Sequence, residues 1–386
     1  CWVSDMKNKV YRLDELCDIK SGKRIPKEMD FVTFETEHPY IRARDIKEGK
    51  INTDDLIYLE DDVFQKIKRY IINSGDIAIT IVGASVGDIG YASKNVDGYN
   101  LTENAVRLTN YKNNVDPKFL HYVLVQKQYH DYMQLIAGAA AQPKLGIYKV
   151  NRIKVELPDL KKQKKIADIL STYDNLIEIN NKRIRLLEQM TENLYKEWFV
   201  RFRFPGYEAA EFDNGAPKYW EYSKLINFID VRYGKDHKSI EEGTIPILGS
   251  GGIMRYGDRA LYNGEAVLIP RKGSLNNIMY INGEFWTVDT LFYSIPKIKN
   301  IARYLYFTFK YFDMDSLNSG ASIPSMTTDI IYHLKMRQPD ATVLEMFDEV
   351  LKPIYEEMDI LGKQNDSIKN QRDMLLPRLM SGKLEV

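Results

Sequence analysis

Apolar residues recur along 163–199 at Ile166, Leu170, Tyr173, Ile177, Ile184, Leu187, Leu194 and Trp198. The steps are three, four or their sum, the seam of a long helix that packs against another helix. The seam returns 181 residues later at Phe347, Leu351, Ile354, Met358, Leu361, Ile368, Leu375 and Leu379, which predicts a second long helix over 344–380. At 1.5 Å per residue each would span about 55 Å. One seam position in each helix is polar, Asn180 and Asn365, on opposite sides of the two midpoints. In an antiparallel pair these two come together, where a buried Asn costs stability and fixes register. The alternative is that one or both face solvent. Ile177, Ile184, Met358 and Leu361 flank them on the expected pairing face.

Outside these helices the period changes. Apolar runs near 77–82, 88–92 and 105–109, bounded by Gly, Asn and Asp, predict strands, repeated near 265–270, 278–281 and 288–294. An amphipathic helix over 117–135 opens on a proline and has a partner near 301–312. "LDELCDIKSGK" at 13–23, expected to open on a helix, reappears without a gap as "LINFIDVRYGK" at 225–235. "GDIAITIVGASVGDIGY" at 75–91 answers "GEAVLIPRKGSLNNIMY" at 264–280, "AGAAAQP" at 137–143 answers "SGASIP" at 319–324, and "RIKVELPDL" at 152–160 answers "HLKMRQPDA" at 333–341. The offset falls from 212 to 189 to 181, so one domain is duplicated and the second copy has lost residues in its middle. A period near 200 is far too long for a solenoid. Loops absorb such losses, and loops carry recognition.

The predicted fold class is therefore α+β, with an internal pseudo-two-fold repeat. Strand-rich domains at 1–157 and 205–340 are followed by long helices at 158–204 and 341–386, and the helices form an antiparallel coiled coil.

Composition narrows the chemistry. Lys+Arg and Asp+Glu both total 54, a balance that leaves room for protein partners beside a polyanion. The two cysteines, Cys1 and Cys17, make neither a disulfide framework nor a metal spacing, and Cys17 reads as a small core hydrophobe. No apolar run approaches the ~18 residues of a membrane span, and the first residues lack a signal-peptide pattern, so a cytoplasmic protein is expected. There is no Pro-Pro, hence no Asn/Asp-Pro-Pro-aromatic loop of an amino-methyltransferase, and there is no P-loop. "LGSGG" at 248–252 lacks the strand–turn–helix setting of a dinucleotide site. Glu48-Gly49-Lys50 has a metal-nuclease spacing but sits in a polar turn with no Pro-Asp suitably upstream. His38, His121, His130, His237 and His333 are scattered, and a structural role is expected for the two on one helix, His121 and His130. No catalytic residue, metal site or cofactor site is expected. Two variable domains on a shared helical frame fit a reader of two half-sites, with the frame covering about one and a half turns of B-DNA at ~34 Å per turn.

"LPDLKKQKKIADILSTYDNLIEINNKRIRLLEQM" with "ENLYKEWFVRFRFPGYE" closely resembles the central conserved region of type I restriction–modification specificity subunits. "GDIAITIVGASVGDIGY" and "GAAAQPKLGIYKVNRIKVELP" resemble the same family's target recognition domains. The resemblance spans essentially the whole chain, with one departure: the family's "EEQ" is Lys162-Gln163 here. It implies a non-catalytic subunit that reads a split double-stranded DNA target. It also implies helices that dock two modification subunits, which hold S-adenosylmethionine and flip an adenine for N6 methylation, with restriction subunits joining and no membrane involved. Trp198, Phe199 and Leu379 are the expected docking residues. A coiled-coil adaptor that binds only proteins, or a nuclease with an unrecognised site, are the competing readings.

Lys or Arg should meet phosphate, and polar side chains should meet base edges. Both copies place basic or polar residues around the repeated Gly-Lys: Lys20, Lys23 and Arg24, then Lys235, His237 and Lys238. The glycine is expected to let the backbone approach DNA; the bland alternative is a solvated turn. The next loop offers Gly83 and Ser85 in copy one, and Arg271, Lys272, Ser274 and Asn276 in copy two. Arg271 is suited to bidentate contact with guanine, or is a plain surface charge. The third loop offers Gln142 for adenine and Lys144 for phosphate, with Ser322 and Ser325 opposite. Arg42 and Arg44 are expected on a strand, and Arg255 and Tyr256 in a Gly-rich loop. "KKQKK" at 161–165 opens a helix where positive charge opposes the dipole, which points to a nearby phosphate or acidic partner, or to a solvated face.

Overall fold

The computed structural model describes residues 8–138, 142–317 and 324–385. It falls into two compact units, 1–179 with 364–386, and 180–363. The division cuts both long helices, so each unit combines one strand-rich domain with half of each helix. Each strand-rich domain shares its core with residues of both helices. Asn180 is the first residue of the second unit, and Asn365 lies one past the return to the first. The seam is thus polar where one unit gives way to the other.

In the first unit, a six-stranded sheet runs in the order Asp18–Ser21, Ala105–Thr109, Ile77–Thr80, Ile89–Tyr91, Gly49–Ile51, Ile46–Lys47. Its inner face buries Ile77, Ile79, Val106 and Leu108 under the helix Pro117–Leu124, capped by the Asp116 carboxylate at the Phe119 N–H. Ile166 and Leu170 of the first long helix, Leu160–Tyr195, and Leu379 of the second, Ala341–Met380, complete this core. In the second unit the order is Ile229–Tyr233, Leu291–Pro296, Tyr262–Pro270, Met279–Thr287, Glu242–Gly249, Gly252–Gly257. Here Val267, Ile269 and Phe292 share a core with the helix Ala302–Tyr311 and with Phe347, Leu351 and Ile354 of the second long helix. Truncating a buried seam residue such as Leu351 to Ala would cost roughly 2–5 kcal/mol.

The long helices run antiparallel within each unit. In the first, Ile166 and Leu170 meet Leu379 while Asp174 pairs with Arg372 at 2.5 Å. In the second, Arg183 pairs with Glu357, and further along Trp198 meets Phe347 at 5.5 Å between ring centroids. No seam residue is exposed; Ile177 and Leu361 are buried, Ile184 and Met358 half-buried. Asp159 caps the first helix through Lys162 N–H at 3.1 Å, which offsets the unfavourable "KKQKK" start.

Local structure departs from expectation in three places. "LDEL" is one 3-10 turn, Leu13–Glu15, closed by the Arg12 N–H on Glu15 Oε2 at 2.7 Å, and its echo Leu225–Asn227 is also a 3-10 turn. The expected helix over 117–135 is two, Pro117–Leu124 and Lys127–Ala137. They break at extended Gln126, whose amide donates to Val123 O at 3.2 Å and so satisfies a last-turn carbonyl. The strand in "YIRARDI" stops at Ile41, because Arg42 bonds Asp45 and folds the chain into a 3-10 turn, Ala43–Asp45.

Candidate nucleic-acid interface

One set of backbone hydrogen bonds joins three loops in each unit. In the first, Gly22 N–H donates to Ala105 O at 3.1 Å and Lys23 N–H to Leu101 O at 2.9 Å. Ile81 N–H donates to Asn104 O at 2.7 Å, Leu145 N–H to Ile81 O at 2.8 Å, and Gly83 N–H to Pro143 O at 3.0 Å. The second unit repeats every bond: Gly234 to Leu291 O at 3.0 Å, Lys235 to Thr287 O at 2.9 Å, Arg271 to Thr290 O at 2.8 Å, Met326 to Arg271 O at 2.9 Å, and Gly273 to Pro324 O at 3.2 Å. Equivalent bonds in the two ledges differ in length by no more than 0.2 Å.

This geometry refines the repeat. Gly83 corresponds to Gly273, and Ile81 to Arg271, one residue away from the ungapped alignment. Both glycines have positive φ, 97° and 87°, where a side chain would be strained. The repeated Gly22 and Gly234 have a different role from the one expected. A Cβ on Gly22 would lie 2.0 Å from Thr102 O, and one on Gly234 2.0 Å from Val288 O. They make room for the protein's own backbone.

On these ledges Lys20, Lys23, Gln142 and Lys144 are exposed in the first unit, and Lys235, Lys238, Lys272 and Ser274 in the second. Lys23 lies 5.8 Å over the Tyr70 ring, and Lys20 is 3.5 Å from Asp18. Arg24 is held by Glu103 at 2.6 Å. Ser85 is half-buried in a loop braced by the Gln134 amide on Val86 O at 2.5 Å. Arg271 stacks 5.4 Å over Tyr233 and donates to Asp289 O at 3.2 Å, so its guanidinium is pre-oriented. The Asn276 amide is occupied by Asp315, and Ser325 is half-buried at a bridge to Lys272. Ser322 lies outside the described residues.

Other expectations shift. Arg42 and Arg44 are not aligned on a strand and both pair with Asp55, Arg44 at 2.5 Å. Arg255 and Tyr256 sit on the strand Gly252–Gly257. Arg255 is half-buried and donates to His237 O at 2.5 Å and Ile240 O at 3.0 Å, which makes it a brace for the basic segment 235–238. Trp198, Phe199 and Leu379 are 6%, 7% and 1% exposed, inside the cores. Their apolar character serves packing against Phe347, Tyr304 and, for Leu379, the first unit's core. His121 is buried with Nε2 2.8 Å from Gly49 O, and burial pushes its pKa down to about 4. Glu48, from the nuclease-like triplet, faces Lys369 at 3.7 Å.

Sequence reasoning missed Tyr233 and Gln163. Tyr233 stands where copy one has Ser21, a difference visible in the echo itself. Gln163 is fully buried: its carbonyl accepts from Asp116 N–H at 2.9 Å and its amide donates to Asn114 O and Pro158 O. Its signal was a glutamine three residues ahead of the apolar seam, at the position where the family also has one.

One backbone frame built twice, with different side chains on the two exposed ledges and lysines at both, defines a two-headed sequence reader. The chain belongs to the type I restriction modification DNA specificity domain family, whose model matches residues 6–189 and 217–372, one match for each copy. It is 24% identical to the MjaVIII specificity subunit of Methanocaldococcus jannaschii over 95% of each chain, and 26% identical to the MjaIX specificity subunit of that organism over 71% of each. Its fold is similar to that of a type I restriction–modification S subunit from M. genitalium, with a TM-score of 0.59, 18% identity and 98% of both chains covered. Membership makes this a DNA-recognition subunit that performs no chemistry of its own. Among the described residues no helix is long and apolar enough to cross a membrane.

Proposed function

We propose that each unit reads one half of a split, asymmetric duplex target, and that the paired helices set the spacing between the halves. The duplicated ledge carries this reading: five equivalent bonds hold two frames alike while their exposed side chains differ. Lys23, Lys144, Lys235, Lys238 and Lys272 meet phosphate; Gln142, Arg271 and Ser274 meet base edges. Two modification subunits dock on the helices, hold S-adenosylmethionine and methylate adenine N6, restriction subunits join the same core, and the assembly works in the cytoplasm. In the second unit, Leu186 and Met190 are exposed on the first long helix, at 56% and 53%, and support a protein partner there.

The test is a pair of variants in the assembled complex. Arg271→Ala is expected to relax one position of the second half-site by about 1–3 kcal/mol of discrimination. Lys23→Ala is expected to weaken all sequences and reduce the salt slope by about one. Competition binding over a salt series reads both. An unchanged sequence preference in Arg271→Ala would remove that residue from the interface.

A further inference from the structure

The second unit carries a hairpin that the first lacks in this form. Glu242–Gly249 and Gly252–Gly257 are joined by the two-residue turn Ser250-Gly251. Ile247 and Leu248 pair in parallel with Trp286 and Thr287, as Tyr40 and Ile41 pair with Asn100 and Leu101 in the first unit. After Ile41 the first unit makes a longer excursion, through the small hairpin Ile46–Ile51, whose tip lies against His121 and Lys369. The second unit turns back at once. Most of the residues lost between the offsets of 212 and 189 fall here.

That loss leaves Ile253 and Met254 at the turn, 55% and 57% exposed. Single exposed apolar residues are ordinary. These two are adjacent on the strand Gly252–Gly257, which hydrogen bonds tie to both of the proposed DNA-contacting segments. Met254 lies across Gly249, with its sulfur 2.7 Å from where a Cβ would stand. The Asn277 amide donates to Ser250 O at 2.7 Å, which ties the turn to the loop of Arg271, Lys272 and Ser274. Arg255, the next residue, grips His237 O and so ties the strand to Lys235 and Lys238. Basic segments thus attach to the hairpin by two separate hydrogen-bonded braces.

We propose that Met254 is a specificity-determining residue of the second half-site and packs on the C5-methyl group of a thymine in the major groove. This rests on the DNA-reading function above. A thioether on a flexible, polarizable stem suits a methyl group, and the flanking lysines would hold the phosphates on either side.

The experiment replaces thymines by uracils one at a time in both half-sites and measures binding by the assembled complex. One second-half uracil is expected to weaken wild-type binding about fourfold, the worth of one buried methyl group. Met254→Ser should bind the thymine and uracil duplexes alike at that position, and respond as wild type does at every first-half position. Gly249→Ala, which pushes Met254 aside, should reproduce the loss in a chain whose methionine is intact. Selective binding with the same uracil response in wild type and both variants overturns the assignment of Met254. Absence of any preferred duplex overturns the DNA reading itself, and this inference with it.

Discussion

The two units fasten strand domain to helices by opposite means. In the first, Asp174 on the first long helix accepts the Tyr122 hydroxyl from the recognition domain and pairs with Arg372 of the second helix at 2.5 Å. In the second, the charge comes from the recognition domain. Arg303 is 5% exposed, pairs with Asp348 of the second long helix, and lies 5.1 Å over both Tyr280 and Tyr355. Tyr355 occupies the repeat position of Asp174, and Thr191 that of Arg372. The backbone ledge survived duplication bond for bond, while the side chains that anchor it were replaced. Backbone geometry at the ledge is constrained by sterics that only glycine meets; an anchor needs only a satisfied buried charge.

The sharpest way to break this comparison is at the shared frame. Gly22→Ala and Gly234→Ala each drive a methyl group into a backbone carbonyl at 2.0 Å, with no flexible side chain to yield. Each is expected to cost about 3 kcal/mol or more and to disable only its own half-site, read by thermal unfolding and half-site methylation. Equal tolerance of alanine at both positions would mean the ledges are not built as described.

The anchors should respond unequally. Arg372→Leu strands the part-buried Asp174 carboxylate and is expected to cost about 2–3 kcal/mol in the first unit. Tyr355→Phe removes only a neutral hydroxyl beside Thr191 and is expected to cost about 1 kcal/mol or less in the second. Hydrogen exchange resolved by unit distinguishes them.

Acid should separate the units more gently. His121 is held neutral by burial with its pKa lowered to about 4, against about 6.5 unfolded. Between those values the unfolded chain binds the extra proton, so stability present above pH 6.5 is lost as pH falls, about 2 kcal/mol by pH 5. The second unit's histidines are half-buried or exposed, at His237 and His333. The first unit should therefore melt earlier on acidification, and His121→Gln should flatten its pH dependence.

Much of this fold was legible in the chain. The heptad seam gave both helices, because a 3.5-residue period survives any change of surface residue. The echo of "SGK" in "YGK" located the ledge, though its meaning was steric. What could not be read was contact across distance. Trp198, Phe199 and Leu379 look like docking residues until the cores close over them. Arg255 looks like a groove contact until its guanidinium is seen bonding His237 and Ile240 carbonyls. The exposed pair Leu186 and Met190 was hidden because a second apolar period on one helix blends with the seam.

The central claim is that one frame, used twice, reads a divided DNA sequence. Base-modification sequencing of the source genome, with and without this gene and with the partner subunits expressed, tests it directly. A split motif with a fixed unspecified spacer should carry N6-methyladenine only when the gene is present. An unchanged methylation pattern under those conditions would contradict it.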